Sequence, residues 1–195
     1  MMTKQMRVMN DQFFSECIVR DECAKLRSIL NAIEKWEGIA GVEWQASEPD
    51  TSKMNDLQAQ WAAEHFNDQA FMIYQTKQAM LSGFAVTIAA SVENFFGALC
   101  DDLDLELGSR PDWGKKRTAI ENKLAISLGD LERFCDVNRV RLLANCFKHN
   151  ESKTTNAFVD AFGGSVNKEI DFQSEDWDGF IEATQTFLMA IVKRT

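Results

Sequence analysis

Apolar residues recur at three- and four-residue intervals through most of this 195-residue chain, the pattern of amphipathic helices. Between Asp11 and Trp36, the positions Phe14, Ile18, Leu26, Ile29, Leu30, Ile33 and Trp36 keep helical spacing with charges in the gaps. They predict a first helix over about 11–37. Gly38, Gly41 and Pro49 then mark a loop, GIAGVEWQASEPD, within which Trp44 reads as a plug on the core. Thr51 is a reasonable N-cap for a second helix running through Leu57, Trp61 and Phe66. His65, among those aromatics and several acids, reads as a structural or surface residue. A third helical stretch, Gln69 to about Leu103, has a predicted break or bend at Ser82–Gly83, because glycine weakens a helix interior. Its second half, FAVTIAASVENFFGALC, is apolar on most of its circumference and predicts a helix enclosed by others.

The remaining pattern is shorter-ranged. An acidic turn, DDLDLELGSR, leads into PDWGKKRTAIENKLAISL, a helix with Pro111 in its first turn. Gly129 and Asp130 are predicted to cap the next helix, which carries NRVRLLANCFKHN and ends near His149–Asn150 with Asn150 in a left-handed position. TTNAFVDAFGG follows, and SVNKEIDF alternates weakly, predicting a short extended segment near 166–172. Ser174 is the expected N-cap of the last helix, with Glu175 and Asp176 in its first turn and an apolar stripe of Phe180, Ile181, Phe187, Leu188 and Ile191. With two prolines, ten glycines, and no repeat or linker, residues 1–195 read as one all-α domain, a bundle of about five to six helices.

Charge changes this picture at one place. The chain carries a net charge of −9, against a general nucleic-acid coat. Between Ser109 and Lys153, however, ten Lys/Arg stand against six Asp/Glu. Placed on a helix, Asn138, Arg141, Asn145, Lys148 and His149 fall in one arc of about 100°. Val140, Leu142, Leu143, Ala144, Cys146 and Phe147 fill the rest, with Arg139 out of place. One face is packed; the other is polar, cationic and free of acids. Lys115, Lys116 and Arg117 add a second basic run, either a solvated face, as charge runs usually are, or, beside the first, a phosphate-binding one. Glu93 projects from the enclosed helix toward Val86, Ala90 and Gly97, where a carboxylate either finds a partner or sits at a helix end that leaves it in water.

Other chemistries lack their residues. Cys17, Cys23, Cys100, Cys135 and Cys146 are odd in number, form no CxxC pair, and read as reduced, buried packing residues. His65 and His149 lack ligand-spaced neighbours, so neither a metal nor another cofactor is expected. Phosphate-loop, dinucleotide, zincin and hydrolase-elbow motifs are absent from the sequence. No signal peptide opens the chain, and the most apolar run, Phe84 to Val92, is too short to span a bilayer, so the expected compartment is the cytoplasm, without a membrane partner. What remains is Arg141, Asn145 and His149, spaced over about 12 Å of helix. Arginine clamps phosphate and histidine moves protons near neutral pH, a combination suited to metal-free RNA cleavage by attack of the 2′-hydroxyl. A solvated helix face whose Lys148 and His149 favour the helix dipole accounts for the same residues.

Three features over roughly residues 60–193 resemble a HEPN domain, an all-helical fold of prokaryotic toxins, defence systems and RNA-processing proteins. They are the helix ASVENFFGALC with its embedded Glu93, the helix RLLANCFKH, and a closing helix FLMAIV entered through KEIDF. Asn145 and His149 match the family's polar and histidine positions. Its arginine does not match: Ala144 stands at the expected place, and Arg141 lies one turn earlier, with seven residues between it and His149. The resemblance implies a homodimer whose signature helices face each other across an RNA-binding cleft, in some members held in check by a neutralising protein. Three readings follow. One is a metal-independent endoribonuclease of toxin or phage-defence type, with His149 as acid/base, Arg141 as phosphate clamp, and Asn145 and Glu93 as orienting groups. The second is a silent HEPN-like module that binds RNA or nucleotides, and the third a helical interaction protein without an RNA role.

Overall fold

The computed structural model describes residues 4–109 and 111–195, with side chains from Ser15 onward. It is all-α: six helices and no strand among the described residues. These are α1 (Lys4–Ala46), α2 (Asp56–Asp102), α3 (Trp113–Leu124), α4 (Phe134–Asn150), α5 (Asn156–Phe162) and α6 (Trp177–Val192).

Two helices are far longer than their sequence punctuation predicts. The expected loop over GIAGVEWQASEPD is mostly helix, for α1 runs unbroken through Gly38 and Gly41 to Ala46. Each glycine costs about 1 kcal/mol in a helix interior. Contacts to α2 on both sides offset that cost. Trp44 does not plug the core: it stacks on Phe66 at 4.6 Å and donates its indole N–H to the Phe66 carbonyl at 2.9 Å. Glu37 pairs with Lys77 at 2.6 Å. Thr51 sits in a single 3-10 turn, and Asn55 caps α2 instead, in a reciprocal capping box with Gln58. The two helices expected on either side of residue 68 are therefore one, and it continues through Ser82–Gly83 without a break. Leu81, Phe84, Ala85 and Ile88 are buried around Gly83 and hold the turn in place.

The core gathers around the C-terminal half of α2. Phe84, Ile88 and Phe96 meet Leu26 of α1, Ile120 of α3, Leu143 of α4, and Ile181, Phe187, Leu188 and Ile191 of α6, all under 3 % exposed. The last helix buries the predicted stripe, Phe180 included. Phe14, predicted for the α1 stripe, lies outside the described side chains. Ile18 and Ile29 of that stripe are exposed, at 49 % and 39 %. By length and composition α2 could cross a membrane, and half of its apolar window is buried within the bundle.

Several caps differ from expectation. Pro111 precedes α3, and Asp112 caps it by accepting from the Lys115 amide at 2.8 Å. Gly129 and Asp130 lie in a 3-10 turn, while α4 starts from Arg133, itself left-handed at φ 66°. Asn150 is the last residue of α4, and the left-handed positions are Glu151 and Ser152. Its amide instead donates to the carbonyls of Lys153 and Thr154, tying the outgoing chain back. The segment near 166–172 forms only an isolated antiparallel bridge, Lys153 to Glu169, followed by a 3-10 turn. Asp176, not Ser174, caps α6, so Glu175 stays outside the helix.

Candidate functional site

The site builds up from α4. Val140, Leu142, Leu143, Ala144 and Cys146 are buried, as the helical pattern requires. Phe147, expected among them, is 38 % exposed. Arg139, out of place on a packed face, has its own explanation. It makes a forked ion pair with Glu175, at 3.0 and 2.7 Å, and lies over the rings of Phe158 and Phe162. The Glu175 pairing raises its pKa beyond the ordinary arginine range. It clamps the segment between α5 and α6 onto α4 and is not part of the polar face.

On that face, the predicted residues separate into two groups. The first surrounds Arg141, where α2, α3 and α4 meet. Its guanidinium donates twice to the Asn138 amide oxygen, at 3.2 and 2.9 Å, and lies 5.3 Å from the centre of the Trp113 ring. Trp113 in turn stacks on Phe96 at 4.7 Å, so the guanidinium rests on an aromatic column rooted in the core. Burial pushes the Arg141 pKa below its ordinary value, the Glu93 charge opposes that, and Arg117 adds to it. Glu93 is half-buried and makes no ion pair among the described residues; it acts on Arg141 at longer range. Lys116 reaches the Glu93 backbone carbonyl at 3.3 Å. Arg117 is held by Glu121 at 2.9 Å and lies over Phe134. Lys115 is exposed and has no ion pair among the described residues, so the three adjacent cations form no single patch.

The second group is wet. Asn145 is half-buried, and Lys148 and His149 are exposed near the end of α4; none has a side-chain hydrogen bond or ion pair among the described residues. His149 lies eight residues beyond Arg141, about 12 Å along the axis. Arg141 bonds back toward the N-terminus of α4, so its guanidinium leans away from the imidazole. Beside this end, a groove of about 290 Å³ is lined by Phe147, Glu151 and Glu169, with Tyr74 and Gln78 from α2.

Sequence reasoning missed Trp113, which anchors Arg141; an aromatic two residues before a basic run was the available signal. It also placed all five cysteines inside. Cys23, Cys100 and Cys146 are buried, Cys17 is half-buried and Cys135 is exposed, and all are free thiols. His65 is exposed beside Gln69. Among the described residues no cluster of three or more His, Cys, Asp or Glu could hold a metal. No family model, curated protein or solved structure matches this chain.

Proposed function

We propose that this chain is a HEPN-like helical module that binds RNA along the polar face of α4 and does not cut it. The carrying observation is the division of that face. Half-buried Asn145 and exposed Lys148 and His149 have no side-chain partner among the described residues, while Arg141 is committed to Asn138 and Trp113. Cations without acid partners attract a phosphate backbone and release its counterions. Cleavage asks for more: a proton-transfer group and a charge-stabilising cation within about 3 Å of one reacting phosphate. Arg141 leans the wrong way for that, and among the described residues Lys148 is the cation adjoining His149 on this face. The cytoplasm is the compartment this reading assumes.

A metal-independent ribonuclease, with the toxin or defence role and neutralising partner that go with it, is the second reading. It is favoured by the free imidazole of His149 four residues from Asn145. Incubating the protein with single-stranded RNA in excess chelator separates the readings. Bound, intact RNA is the expected result. Cleavage that His149→Ala abolishes establishes the second reading instead, and an absence of binding at low salt removes both.

A further inference from the structure

Between the N-terminal part of α1, the C-terminal part of α2 and the end of α6 lies a cleft of about 300 Å³. Such a volume is at the lower end for small-ligand sites, roughly 300–1,000 Å³. Its apolar lining comes from all three helices: Ile18 and Val19, Phe95 and Leu99, Leu188 and Val192. Val19, Leu99, Leu188 and Val192 are buried, so they form a dry floor. Polar groups stand toward its two ends. Glu22 and Ser91 are at one, and Asp102 lies about 16 Å further along α2.

These polar groups accept hydrogen bonds. An ionised carboxylate is an acceptor only, and the Ser91 bond keeps Glu22 ionised at neutral pH. Ser91, 8 % exposed, has one hydroxyl hydrogen for two neighbours, the Glu22 carboxylate at 2.8 Å and the Thr87 carbonyl at 3.1 Å. Its lone pairs are what it can still offer. Asp102 ends α2, where the helix dipole is negative. No Lys or Arg among the described residues lines the cleft. The cations around it are engaged elsewhere. Lys25 meets the other Glu22 oxygen at 3.2 Å, but its side chain is 71 % exposed, and such a surface pair is weak. Arg20 pairs with Glu16. Lys193 and Arg194 line a different groove, where Arg194 donates to the Ala190 carbonyl.

We infer that the cleft binds a small amphipathic amine, its hydrocarbon part on the apolar floor and its ammonium on the Glu22 carboxylate. An ammonium brings donors alone, which this lining can satisfy. A fatty acid of the same size would set its carboxylate beside Glu22 or Asp102, and a plain alcohol offers one donor without charge. The cleft is remote in sequence from the polar face of α4, and the inference does not depend on RNA binding.

Titration of the full chain with hexylamine, 1-hexanol and hexanoate, followed by the methyl resonances of Ile18, Leu99 and Val192, tests the inference. Hexylamine is expected to shift those methyls and to bind several-fold tighter than 1-hexanol, with hexanoate weakest. Glu22→Gln should weaken hexylamine about ten-fold, the loss of one charge-assisted hydrogen bond, and leave 1-hexanol unchanged. Ala98→Trp, from the exposed rim of the cleft on α2, should fill it and remove binding of both. Should that variant unfold, Asn94→Trp serves in its place. No shift at millimolar hexylamine, hexanoate binding as tightly as hexylamine, or binding that survives the filled cleft overturns the proposal. Hexylamine binding indifferent to Glu22→Gln overturns the placement of the ammonium on that carboxylate.

Discussion

Arg141 reaches one turn back along α4 to bond Asn138, at 2.9 and 3.2 Å, and so turns away from His149. The two groups whose convergence cleavage requires are on one face of one helix but belong to different neighbourhoods. One is fixed on an aromatic column, the other free in solvent. Arg141→Ala is therefore expected to act mainly on structure near Trp113. Trp113 loses its cation, and in a protein keeping only that tryptophan the fluorescence should shift, while RNA affinity falls less than for Lys148→Ala. An RNA-affinity loss larger than that of Lys148→Ala would place Arg141 on the ligand.

The Arg139–Glu175 pair is a forked, two-bond tie between α4 and the chain entering α6. Glu175 keeps 10 % of its side chain exposed, so removing the arginine strands a largely buried carboxylate. Arg139→Ala should cost about 1–3 kcal/mol in urea unfolding. Arg139→Lys should recover only part, since an ammonium cannot reproduce the fork or lie flat on Phe158 and Phe162.

Gly83 marks the place where sequence and structure part most clearly. As an isolated residue it signals a break; in place it is a helical position with open space where a Cβ would stand. Gly83→Ala should stabilise the protein by about 0.5–1 kcal/mol in thermal or chemical unfolding. A destabilised variant would mean that α2 needs the glycine's freedom there.

Glu22 gives a pH-dependent expectation. The Ser91 hydroxyl donates to its carboxylate at 2.8 Å, and this bond, helped by Lys25 and opposed by burial, holds the Glu22 pKa below its ordinary 4.5. A depressed carboxylate pKa stabilises the fold above the unfolded value, and that stability disappears as pH falls through the folded value. Ser91→Ala should lower Tm at pH 7, with the difference shrinking in acid once Glu22 is protonated in both proteins. A pH-independent difference would trace the effect to packing alone.

Thiol chemistry reads the core directly. Burial pushes the Cys23 thiol up to about 11, and Cys100 upward as well, while Cys135 is exposed. Thiolate is the reacting form. Alkylation at neutral pH should modify Cys135 first and reach Cys23 only on unfolding.

The helical class, the packed side of α4 and the stripe of α6 were legible because each rests on periodicity, which burial preserves. Helix ends were not. Gly38 and Gly41 are stop signals locally, and long-range contacts such as Trp44–Phe66 and Glu37–Lys77, 22 and 40 residues apart in sequence, carry α1 past them. The basic run 115–117 shows the same limit. Three cations adjacent in sequence point to solvent, to the α2 backbone and to Glu121 in turn. The neighbours of Arg141 come from three helices, so its commitment to Trp113 is invisible in any local window.

The most direct measurement of RNA binding along α4 is its salt dependence. Affinity for a single-stranded RNA, followed by fluorescence anisotropy in excess chelator, should fall linearly on a log–log plot against salt. Lys148→Ala should reduce that slope by about one unit, one phosphate contact fewer, and leave the RNA uncut. A slope identical to wild type, or no binding even at low salt, would contradict the account.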